Sequence, residues 1–193
     1  MIGNKRHFFG LSSRSGFSLA ELIISLSIIS LLSALFLANY HSSNQRTDLI
    51  MTAQTLVTDI RFSQANALGL IKYDGQTPAG GWGVALFSDE QNNGYYLLFA
   101  DENDDERYND GEASEALGGR RIDFSPNIFV DQITINGTEQ SRANISFLPP
   151  DPLTRLRADI ATGTVLEIRL KEKINNTTKT VRINFLGLVE VID

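Results

Sequence analysis

The sequence predicts an α+β protein in which a long N-terminal helix packs on a head of mostly antiparallel β-sheet. No proline occurs between Phe17 and Lys72, and apolar residues there recur at helical spacing. From Trp82 onward the period changes to two, which is typical of strands with one buried face. The segment 72–81, KYDGQTPAGG, is predicted to be a loop because of its glycines and proline.

The first half of the helix, Phe17 to Tyr40, is apolar enough to cross a membrane. It contains one formal charge, Glu21, and a membrane-spanning helix needs roughly 20 residues. A carboxylate inside such a helix costs about 2.5–3.5 kcal/mol and persists where it has a partner. We therefore expect a group outside this helix to neutralise Glu21.

A short basic leader precedes this helix. It contains Lys5, Arg6 and Arg14 and no acidic residue. Because positive flanks stay cytoplasmic, the rest of the chain is expected outside the cytoplasm, with the helix in the inner membrane.

The junction reads Gly16-Phe17-Ser18-Leu19-Ala20-Glu21. It resembles the class III signal of type IV prepilins and type II secretion pseudopilins, with the glycine, the hydrophobic residue and the glutamate in the family's places. The resemblance implies that a prepilin peptidase cuts after Gly16 and methylates the new amino terminus of Phe17. It also implies partners, namely other pilins of the same filament and an inner-membrane assembly platform.

Cleavage at Gly16 would create a cation next to a helix that otherwise lacks one. The Phe17 amine of a neighbouring subunit could then pair with Glu21. Two alternatives remain at this point: a plain signal anchor with an incidental glutamate, and a secretory signal cut near Ala34.

The second half of the helix, residues 41–71, is amphipathic. Its apolar positions are expected to pack under the head's sheet, rather than to bind a separate partner. They are Leu49, Ala53, Leu56, Ile60, Ala67 and Leu68. Gly69 is the predicted stop.

Eight strands are predicted in the head, residues 72–193. The hairpins are expected to turn at 92–94 and 186–187. The strands are 82–87, 95–100, 120–124, 128–135, 143–148, 164–171, 179–185 and 188–192.

The order of these elements is similar to that of the GspH/FimT branch of minor pseudopilins and minor pilins. It consists of the long helix, the GWGVALF strand, an acidic loop, ISFLPP and a terminal hairpin, VRINFLGLVEVI. We expect four segments: a leader (1–16), a transmembrane assembly helix (17–40), its amphipathic continuation (41–71) and the head (72–193). The resemblance implies that the protein is a subunit of the filament tip or initiation complex.

Composition argues against an enzyme and against disulfide chemistry. The formal charge is −6, and loss of the three leader cations leaves 14 basic and 23 acidic residues, a charge of −9. Cysteine is absent, and the two histidines are His7, in the leader, and His41, at the membrane boundary. We therefore expect no histidine-based or cysteine-based catalytic site in the head.

The segment Asp101–Glu112 has the spacing of an EF-hand-type calcium loop. Oxygen side chains stand at positions one, three, five, nine and twelve, with a backbone carbonyl at position seven. The candidate ligands of a Ca²⁺ ion are Asp101, Asn103, Asp105, Arg107 (carbonyl), Asn109 and Glu112. Glu106 stands where the motif has glycine, and the alternative interpretation is a solvated acidic loop.

Basic residues cluster in the last third of the chain. The set is Arg155, Arg157, Arg169, Lys171, Lys173, Lys179 and Arg182. Strand alternation places Arg169, Lys171 and Arg182 on one solvated face, which could meet a phosphate backbone. An ordinary charged strand face is the alternative, and nucleic acid is an unlikely partner for so acidic a head.

These observations predict a non-enzymatic minor pilin or pseudopilin. The alternative is a membrane-anchored binding module, for calcium or DNA, that does not polymerise. Cleavage after Gly16 separates the two, because an anchor keeps its leader. The sequence leaves open whether the machine is a secretion system, an adhesive or motility pilus, or a DNA-uptake pilus.

Overall fold

The computed structural model describes residues 16–88, 93–109, 121–149, 153–158 and 161–193. The chain divides into two compact units, Met1–His41 and Ser42–Asp193. The predicted leader, apart from Gly16, lies outside the described residues, as do Arg120 and Glu112. The described residues form one helix and eleven strands. Their bounds are α1 Leu19–Leu68, β1 Gly81–Phe87, β2 Tyr95–Asp101, β3 Arg121–Asp123, β4 Ile128–Ile135, β5 Thr138–Gln140, β6 Arg142–Leu148, β7 Leu153–Arg157, β8 Thr162–Gly163, β9 Val165–Glu172, β10 Thr178–Asn184 and β11 Val189–Ile192.

The strands form two antiparallel sheets, and the predicted α+β class is confirmed. One sheet has the order β3-β2-β1-β6-β7-β8, and the other has the order β11-β10-β9-β4-β5. The prediction of eight strands missed β5, β7 and β8. All three are short, with two to five residues, and lie at or next to a sheet edge.

One core cluster joins the part of α1 from Ser42 onward to both sheets. The helix contributes alternating small and large side chains, including Ala53, Leu56 and Ile60, all with no exposed surface. Leu68 was predicted on this face, but it is 52% exposed. Buried Ser63 occupies the position between Ile60 and Ala67, and Leu68 lies one residue beyond the buried stripe.

The helix ends in a Schellman motif. The Ile71 N–H donates to the Asn66 carbonyl and the Leu70 N–H donates to the Ala67 carbonyl, at 3.0 and 3.1 Å. Leu70 takes the left-handed conformation, with φ of 50°. The helix ends at Leu68, so the predicted stop at Gly69 is the first residue after it, although the left-handed position that usually favours glycine is Leu70.

Polar contacts hold the second half of α1 on the sheets. The Tyr96 hydroxyl donates to Asp59 Oδ2 at 2.6 Å, and burial raises the pKa of Tyr96 far above its ordinary value. Arg61 Nη2 donates to the Val189 carbonyl at 3.0 Å. The helix is thus bonded to one strand of each sheet.

The central strands of the six-stranded sheet, β1, β2 and β6, are buried on both faces. β1 and β2 are almost wholly buried, whereas β9 in the other sheet alternates between buried and half-buried residues. On the second face Tyr108, from the loop after β2, packs edge-on against Phe87 and Phe99. We call this second face, defined by Phe87, Phe99, Asp101, Asn144 and Arg155, the loop face.

Candidate functional site

Gly16 and Phe17, the predicted cleavage site, precede the first turn of α1. Both residues are exposed, and 83% of Phe17 is accessible. A Cβ added at Gly16 would meet no atom of the chain within 4 Å. Packing within the described chain therefore does not require a glycine at this position.

Glu21 takes part in a capping box at the start of the helix. The Glu21 N–H donates to Ser18 Oγ at 3.2 Å, and the Ser18 N–H donates to Glu21 Oε2 at 2.9 Å. The Ser18 hydroxyl also donates to Oε2 at 2.9 Å. Glu21 Oε1 has no such partner among the described residues. The Ser-x-x-Glu spacing was readable in the sequence, but the prediction singled out Glu21 without Ser18.

The segment after this cap is long and apolar enough to cross a membrane. It comprises Leu19–Leu37, 19 residues, and none of it is buried within the described structure. Ile28 and Leu32, near its middle, are each about half exposed. The segment therefore presents apolar surface on every side, as a helix in lipid or among other helices does.

One protein-family comparison bears on this segment. Residues 11–37 match the family model described as "Prokaryotic N-terminal methylation motif". This prepilin-type motif supports a type IV pilin-like protein. No curated protein and no solved structure matches it.

The match assigns the cleavage site and the apolar helix to one and the same motif. It supports a pilin or pseudopilin processed by prepilin peptidase, in a membrane-associated system with other pilins. The matched residues include Gly16, Phe17 and Glu21. The apolar helix in the same segment is consistent with anchoring of the pilin-like chain in the inner membrane.

The head of the pilin-like chain carries the second predicted site, in the loop after β2. Residues 101–109 of this loop are described, whereas Glu112 is not. Asn103 Oδ1 accepts the Asp105 N–H, and Asp105 Oδ1 accepts the Arg107 N–H, both at 3.0 Å. The Asn109 amide donates to Asp105 Oδ2 at 2.8 Å. The candidate ligands within 101–109 therefore lie in one tightly turned segment.

Two residues of this loop have left-handed backbones. Asp104 has φ of 57° and Glu106, at the position where an EF-hand has glycine, has φ of 66°. The turn thus forms without the glycine, although a side chain in this conformation costs about 1–2 kcal/mol. Arg155 pairs with Asp104 at 2.8 Å, and Arg157 pairs with Glu106 at 3.1 Å.

Asp101 anchors the loop at the end of β2. Its side chain has no exposed surface, and its Oδ2 accepts the Glu106 N–H at 2.9 Å. Gly80 packs so closely that an added Cβ would lie 2.1 Å from Oδ2. Burial raises the pKa of Asp101, while backbone N–H groups of the loop oppose that rise.

No group of three or more histidine, cysteine, aspartate or glutamate side chains suited to a metal occurs within the part of the chain that the structure describes. Asp101 and Asp105 are the carboxylate ligands predicted in 101–109, and the other candidates there are amides and a carbonyl. The loop therefore offers the mixed oxygen set that calcium accepts, rather than a carboxylate cluster.

The basic residues predicted to face a nucleic acid are paired with acids. Arg169 Nε lies 2.8 Å from Asp131 Oδ2, and Lys171 Nζ lies 4.0 Å from Asp131 Oδ1. Arg182 lies opposite Glu167 in the ladder of β9 and β10, at 3.6 Å. The three cations share the outward face of the five-stranded sheet, as the alternation predicts, but Asp131 and Glu167 lie among them. Nucleic-acid binding stays a prediction, and a phosphate backbone would have to compete with Asp131 and Glu167 for these cations.

Proposed function

We propose that the protein is a minor pilin or pseudopilin of the GspH/FimT type. In this role it is a non-enzymatic subunit of a type IV pilus or a type II secretion pseudopilus. The observation that carries the proposal is the junction of an exposed Gly16-Phe17 bond with an apolar helix whose first turn contains Glu21. The family match over residues 11–37 supports it.

Cleavage by prepilin peptidase creates the cationic group that can pair with the Glu21 carboxylate. Cleavage between Gly16 and Phe17 leaves an α-amino group, which prepilin peptidase then methylates on Phe17. In a filament this amine lies against the Glu21 of a neighbouring subunit. Oε2 stays with Ser18, and Oε1 accepts the amine of the neighbour. The pairing offsets the cost of a carboxylate in an apolar environment and sets the register between subunits.

Mass spectrometry of the protein from cells with an active prepilin peptidase tests the processing step. We expect a chain that begins at N-methylated Phe17. Gly16→Leu should remain uncleaved while the head keeps its melting temperature, because nothing in the described chain packs against Gly16. An intact Met1 in the wild type would overturn the proposal and favour the anchored binding module.

Two substitutions at Glu21 separate charge from capping. Glu21→Gln keeps an oxygen that can accept the Ser18 N–H, whereas Glu21→Ala loses both the cap and the charge. If the charge registers the subunits, both variants should insert in the membrane but lose incorporation into filaments, at least ten-fold. Normal incorporation of Glu21→Gln would leave Glu21 with a capping role alone.

A further inference from the structure

We propose that the loop Asp101–Asn109 binds a calcium ion through the side-chain oxygens of Asp101, Asn103 and Asp105 and the carbonyl oxygen of Arg107. Water completes the coordination. This site is separate from the assembly helix and goes beyond the proposed structural role.

The first observation is a buried carboxylate oxygen without a partner. Asp101 has no exposed surface, and its Oδ1 accepts no hydrogen bond from the described residues. Alternation along β2 directs this side chain to the loop face, together with Leu97 and Phe99. Its other oxygen accepts the Glu106 N–H, so the carboxylate lies against the turn. A buried anionic oxygen without a partner is costly, and a cation would satisfy it.

The second observation is the way in which cations are distributed over the loop. The arginines of β7 pair with Asp104 and Glu106, which are positions four and six of the motif and are not ligand positions. Asp101 and Asp105, at positions one and five, have no cationic partner among the described residues. The ion pairs thus neutralise the acids at positions four and six and leave the acids at the ligand positions for a metal ion.

The loop is also held in place before any ion arrives. The Tyr108 N–H donates to the buried Asn144 Oδ1 at 3.1 Å, and the Tyr108 ring packs on Phe87 and Phe99. Asp101 at one end and Tyr108 at the other fasten the turn to the loop face. A preorganised turn reduces the ordering cost of binding.

The ligand chemistry favours Ca²⁺ over other divalent ions. All the ligands are hard oxygens, and no histidine or cysteine lies in the segment, which disfavours zinc and copper. Mg²⁺ demands a tight octahedron and keeps its water, whereas Ca²⁺ accepts irregular sets of six to eight oxygens. Extracellular modules with such sites bind Ca²⁺ at about 10⁻⁴–10⁻³ M, and we expect this range.

Thermal unfolding and calorimetric titration of the full-length protein in detergent micelles test the site. With CaCl₂ at about ten times the dissociation constant, linkage predicts an 11-fold shift of the folding equilibrium. For a head of this size the melting temperature should rise by about 3–6 °C relative to the protein with chelator. MgCl₂ at the same concentration should give a smaller rise.

Two adjacent aspartates provide matched variants. Asp105→Asn removes a ligand charge and should weaken Ca²⁺ binding at least ten-fold. Asp104→Asn removes the same charge from a residue that pairs with Arg155, and should leave the dissociation constant within about three-fold. Asp101→Asn should also abolish binding if its head still unfolds cooperatively. Equal loss in the two neighbouring variants, or equal melting of the wild type in calcium and chelator, would overturn the proposal and leave the pilin-like assembly unaffected.

Discussion

The apolar side chains of the N-terminal segment and those of the head have opposite environments. Between Leu19 and Leu37 every described residue is exposed, including Ile28 at 52%. In the head Phe147, Ile133 and Leu166 have no exposed surface. The head therefore stabilises itself by its own burial, whereas the N-terminal segment needs lipid or neighbouring helices to cover it.

The two acids singled out by the sequence, Glu21 and Asp101, also differ in exposure. Glu21 is exposed and Asp101 is buried, yet each accepts a backbone N–H through one oxygen. The second oxygen of each acid lacks a hydrogen-bond partner among the described residues. In our proposals both are completed from outside the chain, Glu21 by the amine of another subunit and Asp101 by a metal ion.

The largest expected effect comes from removing a core ring in the head. Phe147→Ala should lower the free energy of unfolding by about 3–5 kcal/mol, because it removes a fully buried ring near the end of β6. Membrane insertion should not change. Thermal unfolding together with membrane fractionation checks both outcomes, and Phe147→Leu serves as the milder control. A loss of insertion in Phe147→Ala would contradict the independence of the two units.

A charge in the middle of the apolar segment should impair membrane insertion and leave the stability of the head unchanged. Ile28→Arg should make insertion less favourable by about 2.5–3.5 kcal/mol, a shift of roughly two powers of ten, while the head keeps its melting temperature. Ile28→Leu should insert as the wild type does. Extraction from membranes at alkaline pH measures the inserted fraction. Unchanged insertion of Ile28→Arg would show that this segment does not cross lipid.

Local patterns in the sequence predicted the main elements, but they could not predict contacts between distant parts of the chain. The helix and the strand Ile128–Ile135 follow from apolar periodicity, which short-range sequence carries. The short strand Thr138–Gln140 was missed because three half-exposed or exposed residues show no usable period.

The candidate sites show the same division. Gly16, Phe17 and Glu21 are adjacent in the sequence, and their motif could be read directly. The pairing of Arg157 with Glu106 joins residues 51 apart and depends on the register between β6 and β7. The sequence placed Arg157 in a general basic set, whereas in the structure its side chain pairs with Glu106 of the acidic loop. A long-range ion pair of this kind requires the topology, which periodicity alone does not specify.

The smallest expected effect lies at the capping box. Ser18→Ala removes the oxygen that accepts the Glu21 N–H and should destabilise the first turn by about 0.5–2 kcal/mol. Glu21 keeps the Ser18 backbone N–H and its charge, so filament incorporation should fall less than in Glu21→Gln. Amide hydrogen exchange of the first turn in micelles, about 2–30 times faster, measures the loss of the cap.

Ser27→Ala is the matched control, because the Ser27 hydroxyl donates to the Ile23 carbonyl inside the helix and caps nothing. Its first turn should exchange as the wild type does. If Ser18→Ala and Ser27→Ala behaved alike, Ser18 would have no special role in holding Glu21. If Ser18→Ala instead lost incorporation as completely as Glu21→Gln, the orientation of the carboxylate, and not its charge alone, would govern the pairing between subunits.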